Sequence, residues 1–81
     1  SKPVRLNVSN AAAHEFHIGF GAIRGDVNLS AKGDLAEAAA HLFALLHRAD
    51  ASGRTEIAVA PIPNQGIGVA INDRLQRAAV R

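Results

Sequence analysis

The segment from Pro63 to Gly68 has residue types and spacing that could bind an anion. It leads from an apolar strand pattern into a helical pattern. Backbone N–H groups at a helix N-terminus have no partner inside the helix, so together with the helix dipole they attract phosphate or carboxylate. The candidate anion cradle is formed by Asn64, Gln65, Gly66 and Gly68. The alternative is a tight strand-to-helix turn, which glycines also permit; the lysine of a true phosphate-binding loop is missing.

Arg74 conflicts with the apolar pattern around it. On a helix drawn from Ile67 it falls among apolar positions, where a charge must be paired or must extend toward water. We expect an ion pair with Asp50, which follows the preceding helical pattern, and the alternative is a catalytic or substrate-binding arginine. Arg74 also forms the densest cationic cluster with Arg77 and Arg81. Cations near a helix C-terminus complement its dipole, and the chain's only aromatic residues are three phenylalanines, so we expect no direct nucleic-acid binding.

The histidines and serines are not spaced for metal binding or nucleophilic catalysis. His14 and His17 are three residues apart near a strand, which directs them to opposite faces. His41 and His47 are six residues apart on a helix and cannot converge on one ion. No serine lies in a Gly-x-Ser-x-Gly turn, and no pair of carboxylates is placed for acid–base chemistry. We therefore expect no metal ion and no catalytic residue in this chain.

The composition limits the chain to one small domain, residues 1–81. It has 81 residues, 17 of them alanine, a formal net charge of +2 and no cysteine. A domain of this size buries only about 60–65% of the surface that its unfolded chain exposes, so we expect it to need a partner surface. No apolar run approaches the roughly 18–20 residues that span a bilayer, and the absence of cysteine fits a reducing cytoplasm. We expect a cytoplasmic domain without a membrane contact.

The hydrophobic periodicity predicts three strands and two helices. The strands are predicted at 4–8, 16–20 and 57–60, and the helices at 35–49 and 67–79. Helical spacing predicts an apolar stripe on each helix that faces inward. The stripes are Leu35, Ala38, Ala39, Leu42, Leu45, Leu46 and Ala49, with Phe43 at the margin, and Ile67, Ile71, Leu75 and Ala78. Asp34 is the expected N-cap of the first helix, with Glu37 completing a capping box. The stretch 22–33 is rich in Gly, Asp, Asn and Ser and predicts a long loop, which at this length is a candidate interface segment.

The order β-β-α-β-α predicts a small, layered, Rossmann-like α/β domain with a three-stranded mixed or parallel sheet. The second and third strands, joined through a helix, should be parallel, and the first two could pair antiparallel. If both helices cover one face of the sheet, the other face carries small and polar residues. Those residues are Arg5, Asn7, His17, Gly19, Ala58 and Ala60. We expect this second face to be open and to need a partner that covers it.

A series of short segments occurs in an order that resembles one known family. The segments are Asn28–Ser30, Gly33–Leu35, Glu37–Ala39, Leu42–Phe43, Asp50, Ile57–Pro63, Gly66, Gly68, Ala70–Leu75 and Arg77–Ala79. Over about residues 28–79 they resemble the C-terminal accessory domain of the long, Sua-type threonylcarbamoyl-AMP synthases, which are related to YrdC and YciO. His41 and Asn64 depart from the resemblance, since the family usually has asparagine and an acidic residue there.

The resemblance implies a place in the biosynthesis of tRNA N6-threonylcarbamoyladenosine. Enzymes of this family make L-threonylcarbamoyladenylate from L-threonine, bicarbonate and ATP. The resemblance also implies that ATP, with Mg, binds in a YrdC-type catalytic domain, whose Lys-x-Arg and Ser-x-Asn signatures are absent from this chain. We therefore expect a non-catalytic domain, without a cofactor of its own, that packs on the catalytic domain and modulates it. Two alternatives stay open: a nucleotide- or anion-binding regulatory module at Gly66 and Gly68, and a small homodimerisation module.

Overall fold

The computed structural model describes residues 2–79, and Arg81 of the cationic cluster therefore lies outside the described residues. Its elements are β1 (Val4–Arg5), β2 (Glu15–Phe20), β3 (Ile23–Gly25), β4 (Val27–Asn28), α1 (Leu35–Ala51), β5 (Glu56–Val59) and α2 (Ile67–Ala79). Both predicted helices are present. The first begins where the sequence predicts, because the Asp34 side chain accepts hydrogen bonds from the N–H groups of Ala36 and Glu37.

The five strands form one mixed sheet. Its order is β1-β5-β2-β3, and β4 also pairs with β2. β5 lies parallel to β2, with His17 opposite Ala58, as predicted for two strands joined through a helix. β1 pairs with the other edge of β5, also parallel. The prediction of a mixed sheet is confirmed, but the sheet has five strands rather than three. The first two strands do not pair with each other, because β5 lies between β1 and β2.

The first strand is much shorter than its alternating pattern predicts. Only Val4 and Arg5 pair with β5. Asn7 then adopts a positive φ of 59°, a conformation that asparagine tolerates better than most residues. This turn lets the N–H of Val8 donate to the carbonyl of Val59 at 2.8 Å, and the chain leaves the sheet to cross β5.

The stretch 22–33, predicted as a long loop, contains two short strands that pack on β2. β3 turns back antiparallel to β2 through Gly21, whose φ is 62°. β4 then runs parallel to β2. A Cβ at Gly19 would overlap the carbonyl oxygens of Ile23 and Arg24. Because Gly19 lacks a side chain, β3 lies directly against the backbone of β2.

One face of the sheet and the two helices enclose the hydrophobic core. The core cluster contains Ile18, Phe20, Leu29, Ala38, Leu42, Ala49, Ile57, Val59, Ala60, Ile62, Ile71 and Leu75. Both helices contribute to this cluster, and so do alternate residues of β2 (Ile18 and Phe20) and of β5 (Ile57 and Val59). The two helices therefore cover the same face of the sheet, as expected. Within residues 2–79, neither helix is long and apolar enough to cross a membrane.

The centre of the second sheet face is not open, which corrects the expectation from the sequence. Ala58 is fully buried and His17 is 8% exposed within this chain alone. The segment between β1 and β2 crosses β5 on this side, because those two strands flank β5 and run parallel. It is held there by a hydrogen bond between His17 Nε2 and the carbonyl of Val8 at 2.8 Å. The chain thus buries His17, Gly19, Ala58 and Ala60 itself, whereas Arg5 and Asn7 are exposed.

Candidate functional site

The candidate anion cradle forms a tight turn into α2. Gly66 has a φ of 53°, and a Cβ at Gly68 would overlap the carbonyl oxygen of Pro63. The N–H of Gly68 donates to the carbonyl of Gln65 at 2.8 Å, and the N–H of Val69 donates to that of Gly66 at 3.1 Å. The amide of Gly68 in the proposed cradle and the adjacent amide of Val69 are thus already used, which favours the turn interpretation.

Asn72 holds this turn in place from the first part of α2. Its Nδ2 donates to the carbonyl of Ile62 at 2.9 Å and lies 3.4 Å from Oδ1 of Asn64. Asn64 is therefore engaged by the helix that follows it. The predicted cradle residues lie together, and their contacts are those of a fixed connection between β5 and α2.

The N-termini of the two helices line a common open cavity of about 560 Å³. Its walls are Gly33, Asp34, Leu35, Ala36, Gln65, Gly66 and Ile67. The convergence of two helix N-termini favours an anion, but the Asp34 carboxylate already caps α1 there with its own negative charge. The predicted capping box differs in detail: Glu37 accepts from the hydroxyl of Ser30, and that hydroxyl oxygen accepts from the N–H of Asp34.

Arg74 and Asp50 line the same cavity between α1 and α2, of about 430 Å³, but no salt bridge joins them in the structure of residues 2–79. Its walls are Phe43, Leu46, His47, Asp50, Arg74, Arg77 and Ala78. Asp50 Oδ1 lies 3.4 Å from the backbone N–H of Lys2, which donates to it. Arg77 pairs with Asp73 at 3.0 Å one turn earlier. Arg74 is exposed and extends toward water, the other solution open to a charge at an apolar position.

The surface between the helices leaves apolar side chains uncovered. Phe43 is 62% exposed, and its ring meets that of His47 edge-on at a centroid distance of 4.5 Å. Ile67, predicted to face inward, is 48% exposed. A second, smaller cavity shares Arg74 with the first and is lined by Ala39, Leu42, Ile67, Ala70, Ile71 and Arg74. We call the combined surface the interhelical groove. Sequence periodicity placed Phe43 at the margin of the apolar stripe and did not identify this groove.

Glu15 is a buried carboxylate that the sequence analysis missed. It is 1% exposed and accepts from Arg5 Nε at 2.9 Å, from Arg5 Nη2 at 2.8 Å and from the N–H of Ala12 at 2.8 Å. The hydrogen bonds from Arg5 and then from Ala12 lower the pKa of Glu15 to about 2. These contacts fix the segment that covers the second sheet face, so Glu15 has a structural role.

Asp26 joins the other end of that face to the loop before β5. Its Oδ2 accepts from the N–H of His17 at 2.8 Å and from Arg54 Nη1 at 3.1 Å, and its Oδ1 accepts from Arg54 Nη2 at 3.2 Å. The hydrogen bond from His17, followed by that from Arg54, lowers the pKa of Asp26. Both carboxylate oxygens of Asp26 are thus used in contacts that hold Arg54 and β2 together.

His14, Glu15 and Glu56 bring three possible metal ligands within 4.8 Å of one another. Both carboxylate oxygens of Glu15 already accept hydrogen bonds from Arg5. His14 Nε2 lies 3.3 Å from Oε1 of Glu56. Glu15 is thus engaged by Arg5, and His14 by Glu56. No cluster of possible metal ligands was predicted here from the sequence.

Comparison with known proteins identifies a family. The family model described as threonylcarbamoyl-AMP synthase, C-terminal domain, matches residues 2–80. No curated protein and no solved structure matches the chain. The match begins well before the segments that carry the sequence resemblance, so it includes β1 and β2 as well as both helices.

Proposed function

This chain belongs to the threonylcarbamoyl-AMP synthase C-terminal domain family, and on that premise we propose that it is the non-catalytic domain of an L-threonylcarbamoyladenylate synthase. In this proposal it packs on a YrdC-type catalytic domain and modulates it, in the cytoplasmic pathway to tRNA N6-threonylcarbamoyladenosine. ATP, with Mg, belongs to the catalytic domain. The observation that carries the proposal is the match over residues 2–80, which accounts for all the described elements.

The use of polar groups supports a packing role. Glu15, Asp26, Ser30 and His17 each bond to another part of the same domain. These bonds connect strands, loops and the first helix. The interhelical groove instead leaves large apolar side chains in contact with water, which is typical of a surface that meets another protein. Domain closure sets the turnover of many enzymes, so a packing domain can alter a rate without touching substrate.

The test is product formation from L-threonine, bicarbonate and ATP. We expect the 81-residue chain alone to form no threonylcarbamoyl-AMP and the enzyme that carries both domains to form it. Substitutions that weaken the packing of this domain should change kcat of the intact enzyme, although the substituted residues do not contact substrate. Formation of threonylcarbamoyl-AMP by the 81-residue chain alone would contradict the proposal.

A second candidate function is anion or nucleotide binding at the N-terminus of α2. The observation that favours it is the shared cavity between Gly66 and the first turn of α1. Titration of the chain with ATP or AMP, followed through the amide resonances of Gly66 and Val69, tests it, with the amide of Gly53 as the internal control. Selective, saturable movement of the first two would support binding, and unchanged resonances at millimolar ligand would eliminate it.

A further inference from the structure

The interhelical groove contains residues that the helical pattern directs inward but the domain does not bury. Ala39, Ile67 and Ala78 all belong to the predicted apolar stripes, and all three are exposed. Phe43 adds a ring that is 62% exposed. Alanine has a small side chain, so these positions leave room between α1 and α2 for another chain. These apolar positions would become buried if another chain occupied the groove.

The start of the domain is attached to the rim of this groove. The N–H of Lys2 donates to Asp50, which lines the groove, at 3.4 Å. The ammonium group of Lys2 donates to the carbonyl oxygens of Ala49 and Ser52 at the C-terminal end of α1. In an enzyme whose catalytic domain precedes this one, the connecting chain thus arrives beside Asp50. A tethered domain has a high effective concentration at surfaces within reach of its attachment point.

The charges around the groove indicate what an occupant must carry. Arg77 is already paired with Asp73, and the carboxylate of Asp50 accepts a hydrogen bond from the backbone N–H of Lys2. Arg74 lines both cavities, and no salt bridge engages it in the described part of the chain. An acidic side chain on an apolar segment would complement Arg74 while its neighbours contact Phe43 and Ile67.

We propose that the interhelical groove receives the catalytic domain, through an apolar segment of that domain that presents a carboxylate to Arg74. This inference rests on the proposed function, because it names the surface through which the packing occurs. The sequence predicts a partner that covers the second sheet face. Because the chain itself buries the centre of that face, we assign the docking surface to the interhelical groove instead.

The test uses the intact two-domain enzyme in small-angle X-ray scattering. Phe43→Glu places a charge against the apolar occupant, and Arg74→Glu repels its carboxylate. Ala44→Glu is the matched control, since Ala44 is exposed on α1 and lies outside the groove. We expect the wild type, Ala44→Glu and Arg74→Lys to remain compact. Phe43→Glu and Arg74→Glu should increase the radius of gyration by several ångströms.

The possible outcomes separate the two proposals. If the wild-type enzyme itself scatters as two independent domains, the proposed function fails. If the wild type is compact and Phe43→Glu is equally compact, the groove is not the docking surface, although the packing proposal stands. A dimeric wild type that becomes monomeric on Phe43→Glu would assign the groove to a second copy and overturn the inference. Because Phe43 is largely exposed, circular dichroism of the variant 81-residue chain should show an unchanged fold.

Discussion

Replacement of Glu15 by glutamine tests how the domain closes its second sheet face. The carboxylate is 1% exposed and accepts two hydrogen bonds from Arg5 and one from the N–H of Ala12. The amide that replaces it has no charge and only one acceptor oxygen, so the paired geometry with Arg5 is lost. Hydrogen bonds to charged groups contribute about 1.5–3 kcal/mol each. The Arg5 side chain is 60% exposed, and water therefore weakens its share.

We expect Glu15→Gln to lower the free energy of unfolding by about 2–3 kcal/mol at neutral pH. A domain of 81 residues has a total of about 4–12 kcal/mol, so this is a large fraction. Urea denaturation followed by far-ultraviolet circular dichroism measures it. Glu56→Gln is the control: the Glu56 side chain is 42% exposed, its contact with His14 is 3.3 Å long, and exposed pairs contribute about 0–1 kcal/mol.

The pH dependence adds a second requirement. Folding lowers the pKa of Glu15 from 4.5 to about 2, so the unfolded chain binds this proton more tightly than the folded chain. The stabilisation by the carboxylate is therefore complete above pH 4.5 and is lost as the pH falls from there toward 2. The difference between wild type and Glu15→Gln should shrink over the same range. A difference below about 0.5 kcal/mol at neutral pH, or one that does not change on acidification, would refute the reasoning.

Two further substitutions test the local structure. Gly19→Ala should destabilise the domain by more than about 3 kcal/mol or prevent folding, because its Cβ would overlap the backbone of β3. Gly53→Ala is the control and should change stability little, because the space around Gly53 is open. Equal melting temperatures for the two variants would contradict the placement of β3. Asp34→Ala should cost about 1 kcal/mol through loss of the N-cap of α1, measured by thermal unfolding, and Asp34→Asn should recover most of it; a fully stable Asp34→Ala would show that the cap is unimportant.

The parts of the fold that follow from local chemistry could be predicted from the sequence. Asp34 identifies the start of α1 because capping depends on residues two and three positions away. The apolar run at 57–60 identifies β5 because a strand buried on both faces needs no alternation. The parallel pairing of β2 with β5 follows from the helix between them. Each of these inferences uses neighbours in sequence or a general rule of connection.

The parts that depend on distant contacts could not be predicted. β3 and β4 have three and two residues, too few to show a period, and they exist because Gly19 allows a close approach. The short first strand and the covered second face depend on Asn7, Glu15 and His17 meeting residues across the fold. The cavity lined by Arg74 and Asp50 depends on the distance between α1 and α2. The apolar periodicity of a single helix does not predict that distance.

The most direct test of a docked accessory domain is the exposure of Phe43 in the intact enzyme. Hydroxyl-radical footprinting can compare oxidation of Phe43 in the 81-residue chain and in the two-domain enzyme, with Phe20, 9% exposed, as the buried reference. The account predicts that oxidation of Phe43 falls severalfold in the two-domain enzyme while that of Phe20 stays low in both. Equal oxidation of Phe43 in the two proteins would contradict docking through the interhelical groove.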